Sequence, residues 1–454
     1  MPDRYLKSLV CPLPQDIARL RDAGDIEAAL RLIDERLKQP MPDLLRERLE
    51  TELMLLPQLQ DAYTLTEDAL TKEIKSRVPD FDPQELKALE EKGLLDYIYI
   101  GGVRLYHEDT AGSLVKSQPG LHRRAGITDT GEALEGVIRQ LMEHDLACRF
   151  RLRSETRIRD LPQLTPCRVH LPLAARSMQQ EPASDIACSL PLSRVAPEDA
   201  PQRTAYLEAD LQTGSEISLE YTYVQHPRYI DPMDKNRQGP VYFHTRPVCD
   251  ADLAEMPPHI LFTPLIRSLA RQLRKDTTDP VIAARRFYDY ITTHVTYAYM
   301  PPYRLLENAS EYCAANLRGD CGIQALLFIA LCRASGIPAR WQSGLYAAPG
   351  DTGSHDWAEF FSPRLGWLPV DCSFGGGGVR AGSALRQAFY FGNLDPWRMV
   401  ANREYYAPFT PAKRYPRIDP YDNQRGEIET EGCGLKGGSF RTRFTVLDYQ
   451  ESEE

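Results

Sequence analysis

The sequence has 454 residues, of which 42% are hydrophobic and 26% are charged, as in an ordinary globular protein. A chain of this length exceeds what one hydrophobic core supports, so we expect about two to four domains. The formal net charge of −10 and the lack of a basic tract argue against a nucleic acid as partner.

Cysteine usage and hydropathy point to the cytosol. Residues 1–8 lack the apolar core of a secretory signal, and the longest apolar run, residues 323–332, is too short to cross a bilayer. The ten cysteines include no Cys-x-x-Cys pair, which favours reduced thiols over a disulfide framework or a zinc ribbon. The sequence therefore predicts a cytoplasmic protein with no membrane partner, no metal and no cofactor.

Residues 1–110 are predicted to form a helical accessory region that ends in a β-hairpin. Helices are expected from Asp25, over residues 44–56, after a capping box formed by Thr64 and Glu67, and from Asp82 to Gly93. Strands over residues 95–100 and 103–107 flank Gly101-Gly102, a hairpin signal. Helices followed by such a hairpin resemble a winged helix. Because the surroundings are acidic, we predict an accessory or partner-binding module and not a DNA-binding one.

From residue 147 the sequence changes to short alternating segments separated by prolines. Strands are expected over residues 148–153, 167–171, 206–209 and 217–224. Residues 145–250 are therefore predicted to form a β-sandwich-like domain, with an open β-barrel as the alternative.

Residues 255–412 are predicted to form the catalytic domain, followed by a C-terminal extension over residues 413–454. Asp320 is a suitable N-cap for a buried helix that begins at or near Cys321 and that Gly336 and Pro338 end. The four glycines of residues 375–378 are expected to be mobile. Residues 449–454 are expected to be a frayed acidic tail.

Cys321, His355 and Asp371 follow one another as nucleophile, base and orienting carboxylate. A cysteine nucleophile needs an imidazole to accept its proton and an acceptor on the far ring nitrogen to hold the tautomer. A thiol at the first turn of a helix faces the positive end of the helix dipole, so we expect the pKa of Cys321 to be lowered. Strands over residues 355–361 and 367–373 would place His355 and Asp371 on one sheet face, within hydrogen-bonding reach.

At these residues the chain resembles the transglutaminase-like superfamily, a branch of the papain-like cysteine fold, and is similar to bacterial-type transglutaminase-domain proteins. The matching signature is Gly-x-Cys before the helix, Arg-x-x-Gly-Ile-Pro-x-Arg at residues 333–340, His-x-Trp-x-Glu at 355–359 and Gly-Trp-x-x-x-Asp at 366–371. The resemblance covers about residues 279–375. It implies that Cys321 is the nucleophile, His355 the base and Asp371 its orienter. Together with the other regions it implies a multidomain α+β fold with a papain-like, transglutaminase-like catalytic core.

Other residues near the motifs receive structural interpretations. Cys332 is expected in the core, and His259 and His294 are expected to be structural or on the surface. Glu359 is expected to be a solvated strand residue rather than a partner in the site. Asn316 is a weak candidate for an oxyanion donor.

Two further alternatives stay open at this point. Trp357 and Trp367 are as compatible with packing as with lining a substrate groove, to which Trp341 and Tyr346 are also candidates. Metal binding by Cys313, Cys321 and His355 is conceivable, but the usual zinc spacing is absent.

The predicted function is cysteine-dependent acyl transfer on a peptide, protein or small amide substrate through a thioester. Hydrolysis is preferred, and transglutamination is the alternative within the same chemistry. A non-catalytic interaction protein on a papain-like scaffold is the alternative from a different class.

Overall fold

The computed structural model describes residues 4–127, 131–242 and 246–453, which form a mixed α/β architecture of helices and several sheets. Within these ranges, none of the helices combines the length and the apolar character that a membrane span requires. Short 3-10 helices lie at Arg4–Val10, Asp250–Asp252, Tyr303–Leu305 and Gly437–Ser439.

The N-terminal region is helical, as predicted. Its helices are Gln15–Asp22 (α1), Ile26–Leu37 (α2), Asp43–Ala62 (α3), then, after the strand Tyr63–Leu65 (β1), Glu67–Arg77 (α4) and Gln84–Glu91 (α5). Asp25 caps α2 by accepting from the Ala28 N–H at 3.1 Å. The capping box expected at Thr64 is wrong, because Thr64 lies in β1 and the cap of α4 is Thr66.

The predicted hairpin is present as Tyr97–Ile100 (β2) and Val103–His107 (β3). Strand β1 adds to its outer edge, giving a three-stranded sheet in the order β1-β3-β2. Three helices follow: Thr110–Ser117 (α6), Pro119–Arg124 (α7) and Gly131–Glu143 (α8). Helix α6 carries Lys116 in its last turn.

Two four-stranded sheets occupy the middle of the chain. Six of their eight strands are Leu146–Ile158 (β4), Thr165–Pro172 (β5), Ser184–Cys188 (β6), Arg194–Val195 (β7), Thr204–Leu211 (β8) and Glu216–Gln225 (β9). The four strands predicted from the sequence are thus confirmed as β4, β5, β8 and β9. How the two sheets divide into a domain, and the other boundaries, stay predictions.

Residues beyond the predicted catalytic domain complete both of these sheets. Glu427–Thr430 pairs with β5, and Phe440–Glu453 pairs antiparallel with β4 from Phe440 opposite Ile158 to Glu453 opposite Leu146. The expected frayed tail is therefore wrong for residues 449–453, and Glu454 lies outside the described residues. An acidic composition does not prevent a strand whose backbone is hydrogen-bonded along its whole length.

The candidate catalytic region is built around one buried helix. Its elements are Pro264–Arg274 (α9), Pro280–His294 (α10), Thr296–Tyr297 (β10), Ala309–Asn316 (α11), Arg318–Gly319 (β11), Cys321–Ala334 (α12), Ala339–Ala348 (β12), Asp351–Ser362 (β13), Gly366–Val370 (β14), Cys372–Ala381 (α13), Ala384–Phe389 (α14) and Arg398–Asn402 (β15). Strands β14-β13-β12-β15 form one antiparallel sheet. The two C-terminal strands described above are β16 and β17.

Helix α12 is apolar on nearly every face, and its residues 322–333 are all buried. The Asp320 carboxylate caps its start, and Gly336 at φ 78° ends it, as the sequence predicts. Fully burying a Leu or Phe side chain stabilises a fold by about 1.5–3 kcal/mol, so this helix anchors the core. Its fixed position fixes Cys321 at its first turn.

The four consecutive glycines form part of α13 and are not a mobile loop. A Cβ at Gly375 would lie 1.9 Å from the Tyr288 hydroxyl, and one at Gly378 would lie 2.8 Å from the Gln387 backbone nitrogen. Gly375 and Gly378 are therefore needed because a side chain and a backbone segment of other helices pack closely against them, and not because the backbone must be flexible here.

Two alanine substitutions should separate these roles. We expect Gly375→Ala to destabilise the fold by about 1–3 kcal/mol, since the new Cβ displaces Tyr288 from its bond to the Gln387 carbonyl. Gly377→Ala should instead stabilise it by about 0.4–1 kcal/mol, because its nearest atoms lie at 3.5 Å and alanine favours the helix. Urea unfolding of both variants measures the difference. Equal effects of the two substitutions would contradict the close-packed interpretation.

Candidate active site

Cys321 opens helix α12 beside a fixed N-cap. Asp320 Oδ1 accepts from the Ile323 N–H at 3.1 Å and from the Tyr303 hydroxyl at 2.6 Å. The residue after the thiol is buried Gly322, where a Cβ would lie 2.2 Å from the Tyr303 oxygen and 2.7 Å from Asp356 Oδ2. Only glycine at this position lets Tyr303 and Asp356 come this close to the start of the helix.

His355 and Asp371 are joined as the sequence predicted. Strand β13 pairs with β14 so that Ala358 lies opposite Val370, which places His355 one diagonal step from Asp371 on the same face. His355 Nε2 lies 2.6 Å from Asp371 Oδ2, and both side chains are buried. The predicted hydrogen bond is thus confirmed, with the Nδ1 side of the ring left for another partner.

Asp371 is held by three groups at once. Its Oδ2 accepts from His355 and from Arg398 Nη1 at 2.7 Å, and its Oδ1 accepts from the Phe374 N–H at 2.8 Å at the start of α13. Burial opposes ionisation, but His355 and Arg398 outweigh it and hold the pKa of Asp371 below its ordinary value. The carboxylate is therefore charged at neutral pH.

His355 is a neutral imidazole at neutral pH. Burial lowers its pKa, and the positive charge of Arg398 acts in the same direction, while Asp371 opposes both. The ring also lies 4.7 Å from the ring of Phe374 in an edge contact and stacks on Trp357 at 5.8 Å. These contacts fix its orientation, and a neutral ring is able to accept a proton.

The Cys321 thiol contacts a carboxyl group that the sequence argument missed. Its Sγ lies 3.4 Å from Asp356 Oδ2, on the residue directly after His355. Burial, Asp356 and Asp320, in that order, raise the pKa of Cys321 well above its ordinary value. The predicted lowering of this pKa is therefore wrong for this structure, because nearby carboxylates outweigh the helix dipole. The thiol is protonated at neutral pH.

Two residues from distant parts of the chain also reach the site. Gln424 Nε2 donates to Asp356 Oδ1 at 2.5 Å and to the His355 carbonyl at 3.0 Å. The exposed Lys116 of α6 lies over the ring of Tyr297, and its charge opposes the rise in the pKa of Cys321. No motif marks either residue, so only the fold reveals them.

The side chains of Trp357 and Trp367 chiefly pack in the protein interior. Trp357 Nε1 donates to Gln342 Oε1 at 2.8 Å, and Trp367 Nε1 donates to the Arg246 carbonyl at 3.1 Å. Both indoles are almost fully buried, which favours packing over a groove. The solvated role expected for Glu359 is wrong, since it is fully buried and paired with Arg340.

The remaining candidates lie as follows. Cys332 is buried in the core, His259 is buried and bonded to the Tyr421 hydroxyl, and His294 is on the surface, as predicted. Asn316 donates to the Tyr312 carbonyl at 2.9 Å at the end of α11, so its amide is already engaged there. Across the described ranges, no three His, Cys, Asp or Glu side chains are grouped as metal ligands.

The raised pKa predicts slow alkylation of Cys321. We expect iodoacetamide to modify it at a pH above the range of ordinary thiols, and Asp356→Asn to move this profile to lower pH by removing the nearest negative charge. Mass spectrometry of the Cys321 peptide, with exposed Cys433 as reference, measures both profiles. Asp351→Asn, an exposed site on the same strand, should leave the profile unchanged. A wild-type midpoint below that of Cys433 would contradict the finding.

Comparison with known proteins identifies the central segment. Residues 267–372 match the sequence model of the transglutaminase-like superfamily, and no curated protein matches the chain. A candidate cysteine protease from Cytophaga hutchinsonii is similar at 15% identity and a TM-score of 0.44, over 68% of this chain and 93% of that one. The periplasmic domain of TgpA from Pseudomonas aeruginosa is similar at 15% identity and a TM-score of 0.28, over 52% of this chain and 92% of that one.

The matched segment contains Cys321, His355 and Asp371, and it overlaps residues 279–375, which carry the sequence resemblance. The resemblance is thereby confirmed: the chain carries a core of the transglutaminase-like superfamily over residues 267–372.

Proposed function

We propose that the protein is a cysteine-dependent enzyme that transfers the acyl group of an amide to water through a thioester. Cys321 is the nucleophile, His355 the base and Asp371 the residue that orients His355. The observation that carries this proposal is the buried 2.6 Å bond between His355 Nε2 and Asp371 Oδ2, on the strand whose next residue touches the Cys321 thiol.

The proposed reaction begins with proton transfer from the thiol to His355. The thiolate sulfur attacks the amide carbonyl, and the C–N bond breaks as His355 gives its proton to the leaving amine. Water, deprotonated by His355, then attacks the thioester and releases a carboxylic acid and the free thiol. Asp371 keeps the imidazole in one tautomer throughout and stabilises its charged form.

The start of α12 provides the candidate oxyanion donors. The first backbone N–H groups of a helix have no intrahelical acceptor and point outward along the positive end of the helix dipole. Cys321 and Gly322 hold the first two positions of α12. An oxyanion formed at the thioester carbon would lie next to these groups, which costs no reorganisation during the reaction.

Transglutamination remains the alternative within this chemistry. Animal transglutaminases, which the core resembles, place a tryptophan directly after the nucleophile, and this chain has Gly322 there with no room for even a Cβ. Amine transfer also requires a channel that keeps water from the thioester. The crowding around Gly322 favours hydrolysis over amine transfer.

The cytosol remains the proposed compartment. The ten cysteines include no Cys-x-x-Cys pair, a pattern that favours reduced thiols in a reducing compartment. Fractionation of cells with an antibody against the chain tests this assignment. Peptides, proteins and small amides remain the proposed substrates.

Removing single groups tests the roles of Cys321 and Asp371. In a peptide and amide library screened by mass spectrometry, Cys321→Ser should abolish turnover. Asp371→Asn should lower it by about 10²–10⁴-fold, because the imidazole loses its charged acceptor. Asp395→Asn is the matched control, since Asp395 is the other carboxylate on Arg398 and does not touch His355.

The control must keep most of the activity for the assigned role to stand. Equal losses in Asp371→Asn and Asp395→Asn would reduce Asp371 to a structural partner of Arg398. Turnover that survives in Cys321→Ser would favour the non-catalytic interpretation of the thiol.

The acceptor is tested by partition of the acyl product. With a substrate from the screen, we expect the free carboxylic acid to remain the main product as a primary amine is added up to millimolar concentration. Liquid chromatography with mass detection quantifies acid and amide. A predominant amine adduct that requires Cys321 would show that the acceptor is an amine.

A further inference from the structure

Buried carboxylates in this protein almost always have a cation. Nine Asp and Glu side chains are buried among the described residues, and seven of them form an ion pair with Arg or Lys. The seven are Glu52, Asp252, Glu359, Asp371, Asp395, Glu427 and Glu429. This is the usual condition for burying a charge, because an unpaired ion loses its hydration without compensation.

The two exceptions, Asp356 and Asp422, lie next to each other, and Asp356 contacts the Cys321 thiol. Within the described chain, neither of them forms an ion pair with Lys or Arg. Asp356 accepts from Gln424 Nε2 at 2.5 Å and contacts Cys321 Sγ at 3.4 Å. Asp422 Oδ1 is buried without a hydrogen-bond partner.

Burial raises the pKa of both carboxyl groups, that of Asp356 to about 8. The charge of Asp320 adds to the rise at Asp356, and those of Asp419 and Asp356 add to the rise at Asp422. A hydrogen bond between the two side chains acts in the opposite direction at Asp356.

A buried hydroxyl group without a hydrogen-bond partner lies near the same two carboxyl groups. The Tyr405 hydroxyl has no hydrogen-bond partner although the residue is only 4% exposed. Besides burial, Tyr421, Asp419, Asp422 and Asp356 all raise its pKa, so it lies near these carboxyl groups. Its ring stacks on Tyr421 at 4.9 Å and meets Trp341 at 5.1 Å. A buried polar atom without a partner calls for an explanation, such as strain, a catalytic role, or a bound water or ion.

The chemistry of these groups selects their ligand. Two carboxyl groups and a hydroxyl oxygen offer acceptors, and the stacked rings offer negative π-faces. Among the described residues no Arg or Lys forms an ion pair with either carboxyl group, and Arg417 reaches only the Asp422 carbonyl. A primary ammonium group has three donors and one positive charge, which satisfies both features. We propose that Asp356, Asp422 and Tyr405 form a subsite for a primary ammonium group that the acyl-donor substrate carries next to its scissile amide.

This subsite rests on the proposed function for its place beside the nucleophile, and it explains the protonated resting thiol. An ammonium ion at Asp356 replaces the thiol as the partner of Oδ2, and its positive charge opposes the burial and the nearby carboxyl groups that raise the pKa of Cys321. The thiol proton then passes to the neutral His355. Substrates that carry the cation thereby activate the nucleophile, and neutral ones leave it protonated.

Three methanethiosulfonate reagents test the subsite on the full chain without a known substrate. They carry a 2-aminoethyl, a 2-(trimethylammonio)ethyl or a methyl group. Each reacts with the thiolate in the same way: it transfers its own thioalkyl group to form a mixed disulfide, and methanesulfinate leaves. The first two have equal charge, but only the first can donate hydrogen bonds from its nitrogen. Peptide mass spectrometry measures the rate at Cys321, normalised to the exposed Cys433.

We expect the aminoethyl reagent to modify Cys321 about tenfold faster than the trimethylammonium reagent, the effect of one charge-assisted hydrogen bond. Asp422→Asn should reduce this ratio to about twofold or less on the same reasoning. Asp419→Asn is the matched control: it removes a nearby charge but keeps an acceptor for the Tyr421 and Asp422 N–H groups. The control should keep the preference.

Each other outcome decides against a specific statement. Equal rates for the two cationic reagents in the wild type would mean that only the positive charge of the reagent matters, and would overturn the subsite. A preference unchanged in Asp422→Asn would mean that the smaller size of the aminoethyl group causes it, and would also overturn the subsite. Loss of the preference with millimolar Mg²⁺ or Ca²⁺ would overturn it in favour of a metal ion. An intact preference in a protein whose library turnover does not depend on Cys321 would overturn the proposed function and support the subsite.

Discussion

The buried carboxylate of Asp371 holds the candidate site together. It accepts from His355 on β13, from Arg398 on β15 and from the first turn of α13, so one side chain ties three elements to each other. A charge in this position is tolerated only because all its partners are present at once. Arg398 is itself fully buried, and it also binds Asp395 and covers the ring of Phe374 at 3.8 Å. The orientation of His355 is thus a property of the core and not of a surface loop.

The sequence could predict this constellation because each part follows from local rules. Alternation along two strands joined by a short loop places His355 and Asp371 on one face, and Asp320 before an apolar helix places Cys321 at its start. The strands of the middle region and the hairpin at Gly101-Gly102 follow from alternation and turn residues in the same way. These features depend on residues that are close in sequence or on one hairpin.

What the sequence could not predict depends on contacts between distant residues. The raised pKa of the thiol comes from Asp356 and Asp320 and from burial, which outweigh a helix-dipole argument that considers α12 alone. The sequence alone suggests that Glu359 is solvated, whereas in the fold it forms an ion pair with Arg340 of the neighbouring strand. The glycines of α13 suggest mobility until Tyr288 and Gln387 are seen to fill the space where side chains would be. Burial and partners are properties of the whole fold, so local patterns miss them.

The site is completed by segments outside the transglutaminase-like core. Gln424 and Asp422 come from the chain that leads to β16, and Lys116 comes from α6 near the hairpin region. Residues 267–372 contain Cys321, His355 and Asp371, whereas these segments contribute charges that surround them. The electrostatic environment of the candidate site is therefore not fixed by the matched segment alone. The pair of Asp356 and Asp422 has this mixed origin: one carboxyl group belongs to the matched segment, and the other reaches it from the returning C-terminal chain.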